Sequence, residues 1–249
     1  MPPELSRGER IQRKYYADTA GRYDEMHAHE GVADPLNMQM VQAILRMIDA
    51  RSVLDVGTAT GRGLRALKNA VPSAFVCGIE PVAGLVRQAV REGNADCGPV
   101  VLGSGSALPF ADASFDAVCE FAVLHHVADP SAVIREMLRV AKRAVLILDS
   151  NRFGQGPWLA RLAKLALFKT GLWGAYDYVR TRGKHYQITE GDGVAYSYSV
   201  YDSFETLSRW ADRVILYSDS DKQEGRWAHP LLTCGGVLLC ALKGHSSQG

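Results

Sequence analysis

Between positions 55 and 61 the chain reads Asp55-Val56-Gly57-Thr58-Ala59-Thr60-Gly61, an acid set just before a run of glycine and small side chains. Glycine and small residues let a backbone turn sharply and approach a ligand closely. The acid indicates which ligand. A fixed carboxylate repels a pyrophosphate and attracts an ammonium group, directly or through water. The spacing from Gly57 is G-x-x-x-G with Ala59 between, which differs from the G-x-G-x-x-G that seats a pyrophosphate on a helix terminus. A second acid, Glu80, closes the next apolar run. A carboxylate there can accept hydrogen bonds from both hydroxyls of a ribose. Together the two acids describe a nucleoside that carries a cationic amino-acid part. His125 and His126 offer a third kind of chemistry, because imidazole titrates near neutrality and suits a general base. Packing or loop ordering is the favoured alternative for the pair. Neighbours in sequence face different directions, so at most one of the pair is expected to point into a site.

The elements that must position these residues alternate short apolar runs with helical stretches, the pattern of strand–helix–strand units and a parallel sheet. Strands are expected at 52–56, 74–79, 99–102, 115–119 and 144–148. Helices are expected at 61–70, at 82–92 with Leu85, Ala89 and Val90 on one face, and at 130–140. Asp129 and Pro130 supply the cap and the first position that a helix start prefers. After Asp149 the alternation stops. Residues 151–200 are rich in Gly, Tyr and Trp, with one helical run at 157–169. A helix at 203–210 and strands at 214–217 and 234–242 close the chain. The loop at 219–230 lacks a helical pattern. Parallel neighbours need a crossover, so the last strand is expected to be antiparallel. The predicted fold is α/β: a Rossmann-like, seven-stranded, mostly parallel sheet with helices on both faces. A helical arm (1–45), a cofactor-binding core (46–150), a cap insertion (151–201) and a closing segment (202–249) make up the expected organisation.

The acid–glycine pattern Asp55-x-Gly57-x-x-x-Gly61 with Glu80 resembles the first two motifs of the class I S-adenosylmethionine-dependent methyltransferases. The run from Ala107-Leu108-Pro109-Phe110 to Ser114-Phe115-Asp116, then Val123-Leu124-His125-His126-Val127 and Asp129-Pro130, is similar to the small-molecule branch, as in quinone-biosynthesis methyltransferases. The likeness covers about residues 45 to 150, and the last two strands by topology only. It implies S-adenosylmethionine as cofactor. The contacts it implies come from Asp55, Gly57, Thr58, Ala59 and Gly61 in the loop, and from Glu80 and Pro81 after the second strand. Ser104, Gly105, Ser106 and Ala107 would face the adenine, Glu120 and Phe121 the methionine or the transferring methyl, and Tyr23 of the arm, with Asp24 beside it, would close over the cofactor. In two places the chain departs from the pattern. Ala59 replaces a glycine many relatives have, which is tolerable if its φ is negative. Ser104 stands where an aspartate often accepts from the adenine amino group. A hydroxyl accepts more weakly, so backbone groups from Gly105 to Ala107 would carry more of that recognition.

The formal net charge of +1 gives no electrostatic footprint for nucleic acid. The expected partner is therefore a small molecule, flat or apolar. No run of ~20 uncharged apolar residues marks a membrane span. The five cysteines show neither disulfide nor zinc spacing, which points to a reducing cytoplasm, and no metal ligand set is expected. The helical run at 157–169 interleaves Arg161, Lys164 and Lys169 with apolar residues; it is read as a cap packed on the core, the alternative being a membrane-surface helix. Methyl transfer needs aligned reactants in a water-poor site more than a catalytic triad. Two other readings are a non-catalytic cofactor-binding partner protein and a nucleotide-dependent oxidoreductase, the latter disfavoured by the glycine spacing.

Overall fold

The computed structural model describes residues 5–28, 35–189, 191–219 and 230–244. Its centre is β1 (Ser52–Val56), whose last four residues are all buried. A strand apolar on both faces belongs in the middle of a sheet covered on both sides. β1 pairs in parallel with β2 (Phe75–Glu80) on one side and β4 (Phe115–Phe121) on the other. β3 (Val100–Leu102) extends the first side, and β5 (Ala141–Ser150) extends the second, both in parallel. β9 (Gly236–Leu242) is antiparallel to β5 and also to β8 (Arg213–Asp219). The seven strands therefore run in the order β3-β2-β1-β4-β5-β9-β8, with the chain's last strand the antiparallel one, as expected. Residues 220–229, which hold most of the loop used to argue that point, lie outside the described residues.

Successive strand residues face opposite ways, and two cores result. Leu54, Val56, Val118, Val145 and Ile147 pack against Val133, Ile134, Met137 and Val140 of α6 (Pro130–Val140). Val53, Ala117, Ala144 and Leu146 pack against Val41, Ile44 and Leu45 of α3 (Pro35–Met47) and Leu64 and Leu67 of α4 (Arg62–Ala70). Asp129 caps α6 by accepting from the Ala132 N–H, and Pro130 opens it.

The N-terminal arm begins with α1 (Arg7–Thr19), whose start is fixed by a reciprocal Ser6–Glu9 capping box, and continues into the short α2 (Tyr23–Met26). α5 (Ala83–Arg91) buries Leu85 and Ala89 but leaves Val90 63% exposed, so Val90 does not share their face. Five positions from Leu85, it has turned about 140° around the axis. Beyond β5 come α7 (Trp158–Lys169), α8 (Trp173–Arg180) and an antiparallel hairpin of β6 (Tyr186–Thr189) and β7 (Gly193–Tyr196). No residue of α7 is buried, and Trp158, Leu159, Leu162 and Phe168 are exposed, so the helix lies on the surface with its apolar side chains only partly covered. The aromatic tract 196–201 runs on from the end of that hairpin. The ladder ends at Tyr196, Ser199 makes one bridge to Asn151, and Val200–Asp202 form a single tight turn. Helix α9 (Phe204–Trp210) then leads into β8. Among the described residues no helix is long and apolar enough to cross a membrane.

Candidate cofactor and acceptor site

Asp55, Glu80, Phe121 and Asp149 stand at or next to the carboxyl ends of four parallel strands, and strand order reverses between β1 and β4. In open parallel sheets ligands bind at such a switch point. The loop after β1 is held by two N–H donors, from Gly57 and Thr58, to the Ile79 carbonyl. Gly57 has φ +77°, and a Cβ there would lie 2.5 Å from Val123, so neither the backbone nor the space tolerates a side chain. Ala59 has φ +49°, contrary to the negative value expected. Its N–H must reach Glu80 Oε2 at 3.1 Å, and that bond fixes the turn in the left-handed region. A non-glycine residue there costs about 1 kcal/mol or more.

Asp55 is buried, takes a 2.6 Å bond from the Thr58 hydroxyl, and lies against Gly63, where a Cβ would come within 2.5 Å of Oδ2. Burial pushes its carboxyl up to about 6, with the Thr58 hydroxyl opposing. Glu80 is also buried and accepts from the Val82 N–H at 2.9 Å as well as from Ala59. Burial raises it to about 7 against those two backbone bonds.

Two adjoining cavities result. A cleft of about 840 Å³ is lined by Glu80, Pro81, Ser104, Gly105 and Ser106, roofed by Tyr16 and Tyr23. The second, of about 540 Å³, is lined by Asp55, Gly57, Thr58, Ala59, Phe121, His125 and His126, again under Tyr16 and Tyr23. They share Gly57, Ala59, Ala122, His126 and both tyrosines, so they form one continuous groove. Gly61, Ala107 and Glu120 stand outside its lining. Gly61 serves as the left-handed N-cap of α4. Glu120 points the other way from Phe121, wholly buried, with Oε2 accepting from the Val123 N–H and Oε1 without a hydrogen-bond partner among the described residues. Burial, then the Asp149 charge, holds Glu120 well above the usual carboxylate range. The Ser104 hydroxyl sits 2.9 Å from that of Ser106. From the arm, Asp24 accepts from Thr60 at 2.5 Å and so ties α2 to the loop.

Both histidines face the groove, so the expectation that at most one would do so fails. They share one tight turn, Leu124–His126. Asp149 Oδ1 draws the His125 ring by Nδ1 at 2.7 Å, and the Val194 carbonyl draws His126 by Nδ1 at 2.7 Å. Burial opposes charge on His125, but Asp149 overrides it and raises its pKa. A third cavity, about 1230 Å³ with its open mouth, lies under the inserted segment. Trp173, Tyr196 and Tyr198 line it with Arg152, Lys164 and Arg180, and it touches the groove at Ala122, His125 and Asp192. Arg152 pairs with Asp202 and Arg180 with Asp177. Among the described residues the Lys164 ammonium bonds only the Arg152 and Gln155 carbonyls, at 2.9 and 3.0 Å.

Sequence reasoning missed Asp149, Asp192, His27 and Gln12 as site residues. Asp149 was within reach, since it ends a parallel strand as Asp55 and Glu80 do. Asp192 sits in Gly191-Asp192-Gly193, a hairpin-turn signal, but nothing in the sequence sets that turn opposite His125.

A sequence profile described as "Methyltransferase domain" matches residues 54–148. An uncharacterized methyltransferase of Mycolicibacterium gilvum (strain PYR-GCK) is 31% identical over 187 residues, covering 75% of this chain and 71% of that protein. A demethylmenaquinone methyltransferase of Roseiflexus castenholzii is 29% identical over 143 residues, covering 57% of this chain and 60% of that one. In fold, the chain is similar to the magnesium protoporphyrin IX methyltransferase of Synechocystis PCC 6803 with bound SAM. The TM-score there is 0.59 at 14% identity, over 98% of this chain and all of that one (100%). With the acid–glycine loop and the buried Glu80 at the switch point of this sheet, these relatives place the chain in the class I S-adenosylmethionine-dependent methyltransferases.

Proposed function

We propose that the protein transfers a methyl group from S-adenosylmethionine to a flat small-molecule acceptor held under the inserted segment. The observation that carries this reading is the pair of buried acids, Asp55 and Glu80, along one groove. Among the described residues neither has a cationic side chain at ion-pair distance. A ligand with an ammonium at one end and a ribose diol at the other fits that pair. Glu80 would hold the ribose, its oxygens each keeping a lone pair beyond the backbone bond, and Asp55 would orient the ammonium. Gly105 and Ser106, with Ser104, would border the adenine. When bound, the cofactor supplies a methyl on a sulfonium sulfur, which departs with the S–C bonding pair as a neutral thioether.

The chain's own part is alignment and exclusion of water, which accounts for much of the acceleration in such displacements. Tyr16 and Tyr23 of the arm roof the groove, and the insertion covers the acceptor cavity. Trp173, Tyr196 and Tyr198 offer a flat apolar body large contact area with polar tips. Lys164 adds a cation without a carboxylate partner among the described residues, which favours an electron-rich oxygen substituent on the acceptor. His125 and His126 face the place where the groove meets that cavity, and so the nucleophilic O, N or C atom.

The test is incubation with methyl-labelled S-adenosylmethionine and fractionated small-molecule extract. Label should pass to a discrete compound of low molecular mass. Label confined to protein or nucleic acid, or none transferred while the cofactor binds, would refute the acceptor assignment.

A further inference from the structure

Four side chains converge where the groove opens into the acceptor cavity: His27, His125, His126 and Asp192. His27 Nδ1 lies 2.9 Å from the Tyr23 carbonyl, His125 Nδ1 2.7 Å from the Asp149 carboxylate, and His126 Nδ1 2.7 Å from the Val194 carbonyl. Each of those partners accepts only, so each Nδ1 carries the ring hydrogen. On a neutral imidazole, Nε2 is then a lone pair. All three Nε2 atoms are turned to Asp192: His126 at 3.1 Å and His27 at 3.7 Å from Oδ1, His125 at 3.5 Å from Oδ2. The lone pairs of His125 and His126 and the Asp192 carboxylate, facing one another, call for positive charge between them.

We propose that His125, His126 and Asp192 form a binding site for a divalent first-row transition cation at the acceptor end of the groove, with His27 beside the site and not among its ligands. The spacing suits ligands of one ion. Two donor atoms each about 2.1 Å from a cation are about 3.0 Å apart at a right angle and about 3.4 Å apart at the tetrahedral angle. Protons on Nε2 would instead give charge-assisted bonds near 2.7–2.9 Å, roughly, and the three distances are all longer. The donor groups of His125, His126 and Asp192 lie within 4.8 Å of one another. A metal-ligating imidazole has its other nitrogen fixed by a carbonyl or carboxylate, and both ligand rings here meet that condition. Imidazole-rich donor sets favour zinc, nickel, copper or iron over magnesium and calcium.

Neighbouring residues hold the set in place. The Gln12 amide donates to the Asp192 carbonyl at 3.0 Å, its Oε1 accepts from the Val194 N–H at 2.5 Å, and so α1 pins the hairpin turn that carries the carboxylate. The Tyr16 hydroxyl, 3.0 Å from His126 Nε2, brings a further oxygen to the same point. His125 and Asp192 line both the groove and the acceptor cavity. Resting on the methyltransferase reading, the cation's role there is to hold the acceptor's oxygen or nitrogen and favour its deprotonated form, the proton passing to solvent.

The tag-free chain, stripped with a chelator and dialysed, is titrated with Co²⁺ by visible absorption and with Zn²⁺ by calorimetry. S-adenosylhomocysteine is titrated into the stripped and the reloaded protein. One cation per chain is expected, with Asp192→Asn and His126→Gln each weakening it at least about tenfold. Both variants are checked for native circular dichroism, and either one suffices if the other fails to fold. A featureless Co²⁺ spectrum, or an affinity that neither substitution moves, overturns the site. Homocysteine-nucleoside binding without cation binding refutes the site and leaves the methyltransferase reading intact. Cation binding without nucleoside binding supports the site and refutes that reading.

Discussion

Glu80→Gln should weaken S-adenosylmethionine binding by roughly 30- to 100-fold and, at the same time, raise the melting temperature of the unliganded protein at pH 8. The first effect is the loss of charge from an acceptor of two hydroxyl hydrogen bonds, each stronger to a carboxylate than to an amide. The second follows from burial. Glu80 rises from 4.5 to about 7 in the folded chain, with the backbone N–H groups of Val82 and Ala59 and the charge of Arg13 opposing, and Asp55 adding to the rise. The folded state thus holds this proton more tightly than the unfolded one. Below the unfolded value both states are protonated and nothing is lost; stability falls as pH rises through the window, and the full penalty stands above about 7. That penalty is about 3 kcal/mol, from which the amide gives back about 1 for a lost backbone bond. A gain of about 2 kcal/mol at pH 8, shrinking toward nothing near pH 5, should appear in thermal melts as several degrees. Wild-type cofactor affinity should tighten as pH rises from 6 to 8. An unchanged affinity in the variant, or a gain in melting temperature independent of pH, would contradict the role assigned to Glu80.

Deleting residues 157–169 should leave S-adenosylhomocysteine affinity within about threefold of wild type, well under 1.4 kcal/mol, and abolish turnover. None of the residues lining the groove comes from α7, whereas the acceptor cavity takes Lys164 from it. The helix is expendable to the fold in one respect, since none of its residues is buried. It also covers the buried Phe153, which meets Phe168 edge-on with ring centroids 5.2 Å apart. Some loss of melting temperature is therefore expected. Parallel calorimetry and methyl-transfer assays separate the outcomes. Full turnover by the shortened chain would mean that the acceptor is selected elsewhere.

The core was legible because its physics is local and periodic. Val53, Leu54 and Val56 are apolar on both faces, as a central strand must be, and Asp129-Pro130 supplies the cap and first position that a helix start prefers. The Asp55 loop and Glu80 were legible because position at a strand's carboxyl end determines what an acid there can reach. Past Asp149 those signals lapse. Residues 173–180 carry no clean apolar face, and Tyr176 and Tyr178 there stay exposed, so α8 left no helical pattern to read. Ala59 was misread because its conformation is set by Glu80, a residue on another strand. The two histidines were misread for a similar reason. Their directions are imposed by Asp149 and by the carbonyl of Val194, contacts that span 24 and 68 positions of sequence.

The central claim, a sulfonium nucleoside in a groove walled by two buried acids, is tested most directly by calorimetric titration of the full chain. S-adenosylmethionine, S-adenosylhomocysteine and NAD are titrated in separate runs at pH 8. Saturable heat at one site per chain is predicted for both sulfur nucleosides, with none for NAD. Heat with NAD and none with either sulfur nucleoside would contradict the account.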